Sequence, residues 1–264
     1  MSKLTKRISK LFSGKKDKSS VKDESSTAAP SATEASSSAP STTEPAAHAT
    51  DSPAAATAAA SPTRAPKIAV VIYSMYGHIA KLAETAVESA KAAGAEVEIF
   101  QVPETLDTEI LQKLHAPPKP AYPIAQPDDL LKFDGFLFGI PTRYGNHSAQ
   151  WRAFWDSTGG IWASGGYYGK YGAVFVTTST PGGGQEATVY NTMSTFAHHG
   201  ILYVPFGYKS AFPQLTNLEE PHGGSPWGAG SFAGTDGSRQ PSELELGLVK
   251  IQATEFVKTV ARTL

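Results

Sequence analysis

Residues 67–94 read KIAVVIYSMYGHIAKLAETAVESAKAAG. Lys67 to Tyr73 is a continuous apolar run, the pattern of a strand buried on both faces of a parallel sheet. From Gly77 to Ala93 the apolar residues recur at helical spacing, and Gly94 follows as a helix stop. Between them lies a tight turn, Ser74-Met75-Tyr76-Gly77-His78-Ile79.

The same alternation continues along the chain. Strands are expected at Glu96–Val102, Phe133–Ile140, Tyr171–Thr177 and Ile201–Pro205. Helices are expected at Ser148–Ser157, Gln185–His199 (stopped by Gly200) and Pro241–Leu264, the last with Ser242 near its start. A Pro-rich connection spans Pro103 to Pro127, and a long Gly-rich loop spans Gly207 to Gln240. Five strands alternating with helices imply an α/β domain with a doubly wound parallel sheet. A Rossmann domain calls for G-x-G-x-x-G after the first strand, and the turn at Ser74–Ile79 does not match it. The flavodoxin-like order 2-1-3-4-5 is the expectation, over residues 67–264.

Upstream of Pro66 the composition changes. Residues 25–66 contain no Leu, Ile, Val, Phe, Tyr, Trp or Met, so they bury too little to offset ordering entropy and read as a disordered linker. Residues 1–24 form a basic stub. Lys3, Lys6, Arg7, Lys10, Lys15 and Lys16 surround Leu4, Ile8, Leu11 and Phe12, which share one face at helical spacing. Three readings stand for it: an amphipathic helix in which residues 1–16 lie on an anionic membrane, a solvated tail, and, less favoured, a mitochondrial presequence. The net charge of −1 gives no electrostatic case for nucleic acid. The absence of cysteine excludes disulfides, thiolate metal sites and S-acylation, and fits a reducing compartment. No apolar stretch is long enough for a membrane span. A cytoplasmic protein is the expectation, peripheral at a membrane under the first of the three readings of the stub and mitochondrial under the third.

In open α/β sheets ligands sit beyond the carboxyl ends of the strands. The first loop, Ser74 to Ile79, presents backbone N–H groups at a helix N-terminus and suits a phosphate monoester held by neutral donors; it also reads as an ordinary βα turn. The second is Pro141-Thr142-Arg143-Tyr144-Gly145-Asn146. There Tyr144 is placed to stack on a flat ring, and Thr142 and Asn146 to bond its polar edge. Arg143 is placed to stabilise negative charge on such a ring, and Asn146 alternatively caps the next helix. The third, Thr177-Thr178-Ser179-Thr180-Pro181-Gly182-Gly183-Gly184, brings consecutive glycines to the start of a helix, where a ligand can lie on the backbone. Trp162, in GGIWASGG, is either a packing plug or a lid. His198 and His199 close a helix. Motifs for zincins, serine hydrolases and P-loops are absent.

SMYGHI, GIPTRYGN, STGGIWASGGYYGK, GGGQE, TFAHHG, GGSPWGAG and AGTDGSRQPSELE occur in order over residues 67–262. Together they resemble the WrbA family of flavodoxin-like NAD(P)H:quinone oxidoreductases, its fungal members above all. The resemblance implies bound FMN, NADH or NADPH as donor, two-electron quinone reduction, and a homodimer or homotetramer. It implies that Ser74 to Ile79 hold the FMN phosphate and ribityl chain, that Pro141 to Asn146 meet the ring, and that Thr177 to Gly183 line its other edge. His198 would contact the flavin, Tyr76 the nicotinamide, and Trp162 the quinone, with His198 and Trp162 as the catalytic pair. Ser179 and Pro181 depart from the family's S-T-G-T-G-G-G pattern. Both substrates would share one flavin face, which makes the reaction ping-pong. The alternative is a membrane-associated regulatory flavoprotein of low turnover.

Overall fold

The structure, a computed structural model, describes residues 63–264. The expectations for the stub and for residues 25–62 of the linker lie outside the described residues. Strands β1 (Lys67–Ile72), β2 (Glu96–Gln101), β3 (Gly135–Pro141), β4 (Tyr171–Thr178) and β5 (Leu202–Tyr203) pair in parallel in the order β2-β1-β3-β4-β5. The helices between them are α1 (His78–Ala92), α2 (Thr108–Lys113), α3 (Ala149–Ser157), α4 (Gly159–Ser164) and α5 (Gln185–His199). The chain closes with α6 (Phe212–Leu215), β6 (Gly230–Phe232) and α7 (Glu243–Ala261).

Side chains alternate across each strand, so β1 serves two cores at once. Ile68, Val70 and Ile72 point to the layer of α1 and α7, where they meet Ile79, Leu82, Leu248 and Phe256. Ala69 and Val71 point to the opposite layer, with Phe136, Phe138, Trp151, Trp155 and Phe196. Full burial of each large side chain contributes roughly 1.5–3 kcal/mol before entropy is counted. Trp151 is wholly enclosed and its indole N–H donates to the Gly139 carbonyl at 3.3 Å, so its one polar atom is satisfied.

The fifth position of the sheet is filled in two pieces. Tyr171 and Gly172 pair with β5, whereas Val176 to Thr178 pair with β6. Because β3 occupies the other side of β4 along its whole length, β5 and β6 must share one edge. The rungs run from Leu202 N to the Lys170 carbonyl and from Val204 N to the Gly172 carbonyl. The next would take Phe206 N to the Val174 carbonyl. Instead Gln252 of α7 donates to that carbonyl at 3.0 Å and accepts from Ala229 N at 3.0 Å, standing in for a peptide group. That is why the strand expected over Ile201–Pro205 is only two residues long. The chain leaves the edge there and returns at Gly228, where a Cβ would come within 2.1 Å of the Val174 carbonyl.

Two further ties fix the ends of the domain. Ser242 caps α7 in a reciprocal box with Glu245. The Glu245 carboxylate, fully buried, also accepts from Gly223 N, Phe232 N and Arg239 Nη1 (2.9, 3.0 and 2.8 Å), binding the excursion 204–229 and the segment after β6 to the helix. At the opposite pole Arg64 forks onto Asp134 at 2.6 and 2.7 Å, and Lys67 N donates to the same carboxylate. Arg64 holds the Asp134 carboxyl below its ordinary range. Thr63 reaches the Leu264 carbonyl.

Candidate functional site

The carboxyl ends of β1, β3 and β4 open into a cleft of about 700 Å³, inside the roughly 300–1,000 Å³ of small-molecule sites. Its floor is the β1–α1 turn. Gly77 takes φ 92°, a left-handed value glycine tolerates, and so turns the chain directly into α1. The Ser74 hydroxyl accepts from Gly77 N (3.2 Å) and Ala80 N (3.3 Å). Among the described residues, the N–H groups of Met75, Tyr76, His78 and Ile79 have no acceptor. Four unsatisfied donors at a helix N-terminus form a cradle for a phosphate. His78 is buried and its Nε2 donates to the Arg239 carbonyl at 3.0 Å, so the ring pins the cradle to the segment after β6.

The second wall is the Pro141–Asn146 loop. Arg143 and Asn146 exchange backbone hydrogen bonds of 2.8 and 2.9 Å around Tyr144 (φ 55°) and Gly145 (φ 69°), a two-residue turn with both central residues left-handed. Left-handed backbone is costly for tyrosine, and here it holds the ring wholly in solvent at the cleft rim. Arg143 folds inward, its Nη1 donating to the Thr142 carbonyl at 2.8 Å. The Thr188 hydroxyl donates to the Gly184 carbonyl, so in the 2.7 Å contact with Thr142 the Thr142 hydroxyl is the donor. Its proton is thereby committed, and toward the cleft Thr142 can only accept. Asn146 is not the helix cap: its side-chain oxygen accepts from His147 N, and Ser148 caps α3.

The third wall comes from Thr177, Thr178, Ser179 and Gly183. Gly184 (φ 87°) packs so tightly that a Cβ would lie 3.0 Å from the Gly145 Cα, so the second and third loops meet backbone to backbone. Gly77, Gly145, Thr180, Pro181 and Gly182 shape these loops without lining the cleft. A fourth wall, Ala233 to Gly237, was missed by the sequence reading, which took 207–240 as one loop. Ala233 N and Gly234 N donate to the Thr178 and Ser179 carbonyls at 2.8 and 3.0 Å. The Asp236 carboxylate accepts from Ser238, which holds it below its ordinary range.

Tyr76, Met75, Arg143 and Tyr144 also border a second cleft of about 910 Å³, toward α2 and α3. Leu106, Leu114, Asn146, His147, Gln150 and Arg152 complete its lining. His147 is buried. Thr192 donates to the Thr188 carbonyl, so His147 Nε2–H must be the donor in its 2.9 Å contact with Thr192. Nδ1 is left buried without a partner. Burial, aided by the Arg152 charge, pushes the His147 pKa down to about 3.

His198 and Trp162 do not line either cleft of their own chain. His198 is exposed on the last turn of α5. Trp162 is 56 % exposed on α4, so in its own chain it is not a packing plug. His199, next to His198, is instead buried, donating to Thr158. Among the described residues no helix is long and apolar enough to cross a membrane.

The cleft fits FMN. It supplies free N–H donors for a phosphate at its floor, backbone-lined walls for a ring, and one guanidinium beside them. The family described as NADPH-dependent FMN reductase matches residues 66–212. NAD(P)H quinone oxidoreductase PST2 of Candida albicans is 59 % identical over 197 residues, covering 75 % of this chain and 97 % of the relative. Minor allergen Alt a 7 of Alternaria alternata is 56 % identical over 200 residues, covering 75 % and 98 %. A flavodoxin, WrbA-like protein from Agrobacterium tumefaciens shares the fold with a TM-score of 0.52 at 19 % identity, over 74 % of this chain and 98 % of that one. A flavodoxin-like sheet, the family match and these relatives place the chain in the NADPH-dependent FMN reductase family, among the fungal NAD(P)H quinone oxidoreductases.

Proposed function

We propose that the chain is an FMN-dependent NAD(P)H:quinone oxidoreductase that carries out two-electron quinone reduction. The observation that carries the reading is the set of unsatisfied N–H donors at Met75, Tyr76, His78 and Ile79, at the floor of a cleft sized for FMN. FMN, when bound, accepts a hydride from the nicotinamide and passes two electrons to the quinone. The protein binds and orients. The β1–α1 turn takes the phosphate, with neutral donors and the helix dipole in place of a lysine. Thr142 offers an acceptor to a ring N–H, and Arg143 a positive charge to the ring's electron-rich edge. Donor and quinone reach the ring between the exposed Tyr76 and Tyr144, so one must leave before the other enters; that shared entrance supports a ping-pong order.

The oligomer belongs to the same proposal. His198 and Trp162 face outward from their own chain, so they act on a substrate only in the cleft of a neighbouring copy, in a homodimer or homotetramer. Purified protein should be yellow or take up FMN stoichiometrically, and should oxidise NADH or NADPH when a quinone is present. Protein that binds no added FMN overturns the reading.

A further inference from the structure

The second cleft, of about 910 Å³, is continuous with the first through Met75, Tyr76, Arg143 and Tyr144, and the rest of its lining takes no part in holding the flavin. Its charge is one-sided. Arg143 and Arg152 line it, and no carboxylate does among the described residues. Arg64 and Arg239 are each matched to a carboxylate, Asp134 and Glu245. Among the described residues the guanidinium groups of Arg143 and Arg152 instead bond neutral groups, the Thr142 carbonyl (2.8 Å) and Met75 Sδ (4.0 Å) for Arg143 and the Asn146 side-chain oxygen for Arg152. Each keeps most of its five-donor fork unused, a geometry suited to phosphate oxygens. His147 adds no charge to this wall, because burial keeps its ring neutral. Leu106 and Leu114 add apolar lining, with Leu114 fixed by the Tyr76 hydroxyl on its carbonyl (3.2 Å).

We propose that this second cleft binds the adenosine diphosphate half of the nicotinamide dinucleotide, with Arg152 on the pyrophosphate, Arg143 adding positive charge at the junction with the first cleft, and Leu114 beside the adenine. The proposal rests on the donor role given above and names where the donor's remote half is held. A quinone is a poor occupant: it has no charge to match two guanidinium groups. The nicotinamide end then enters the first cleft past Tyr76 and Tyr144, two of the four residues common to both. Binding energy gathered on the remote half positions the reacting ring, which carries no phosphate of its own.

Arg152 lines only the second cleft, so it separates the two halves of the donor. In Arg152→Ala the KM for NADH, divided by the KM for dihydronicotinamide riboside, should rise about tenfold, as expected for losing a charge-assisted pair. Arg152→Lys should give a smaller rise, because it keeps the charge and loses the fork. An unchanged ratio in both variants overturns the proposal, as does an effect confined to the KM for the quinone. On the unmodified protein, ADP-ribose should inhibit competitively against NADH; absence of inhibition overturns the proposal even if the variants misfold. A wild-type protein that oxidises neither donor overturns the functional reading beneath it as well.

Discussion

His147 shows how much one buried ring can dictate. Its Nε2–H is committed to Thr192, its Nδ1 has no partner, and protonating it would leave a charge in apolar surroundings beside Trp151 and close to Arg152. In the unfolded chain the same ring titrates near an ordinary value of about 6.5. The folded value of about 3 lies below it. Between these values the unfolded state holds a proton that the folded state refuses. The contribution to stability is therefore complete above the unfolded value and is lost progressively as the pH falls, at up to about 1.4 kcal/mol per pH unit. Urea unfolding of the wild type and His147→Gln at about pH 4, 5 and 7 should give a shallower acid decline in the variant. Parallel declines would show that the carboxylates alone set the slope. Nothing in the sequence marked His147 out: it follows the Asn146 turn as a lone histidine, while the conspicuous pair at 198–199 drew the reading.

At the level of elements, legibility follows burial. β1, β3 and β4 are covered on both faces, so they appear in the sequence as unbroken apolar runs, and the loops at their ends could be located from them. Gly159 to Ser164 form a helix despite two glycines, because Ile161 is anchored in the core and supplies what propensity does not. β5 and β6, of two and three residues, are too short to carry a period, which is why the wall at 233–237 that follows β6 was invisible. The turn at Tyr144 was legible as a turn but not as a strained one. Glycine there would relieve the left-handed strain at some cost in chain entropy. Tyr144→Gly should therefore leave the stability of the FMN-free protein within about 1 kcal/mol, since the exposed ring packs on nothing in its own chain. FMN affinity, read by fluorescence titration, should weaken about tenfold for loss of the stacking ring. A variant that loses apo stability with FMN affinity intact would assign Tyr144 a structural role.

Across the whole molecule the cleft and the point where residues 63–66 join the sheet lie at opposite poles. Strands enter at the Lys67 and Asp134 end and deliver their loops to the site at the other. Deleting residues 1–62 should leave FMN affinity and quinone turnover within about twofold of the full chain. Extending the deletion through Arg64 should lower the melting temperature without touching the kinetics, because it removes the fork on Asp134. Loss of turnover on the shorter deletion would mean that the extension reaches the site. The divided fifth strand has a consequence beyond this fold. An open sheet invites a second molecule to add a strand along its border and so to start an aggregate. Here the border beyond β4 is occupied by two short segments and the Gln252 amide, and the border at β2 is met by the bridge between Gln101 and Ile124. Along the β4 border, among the described residues, an intruding strand finds no straight run of unpaired peptide groups to dock on, so the interruption that hides β5 and β6 from a sequence reader also closes that border to a neighbouring copy.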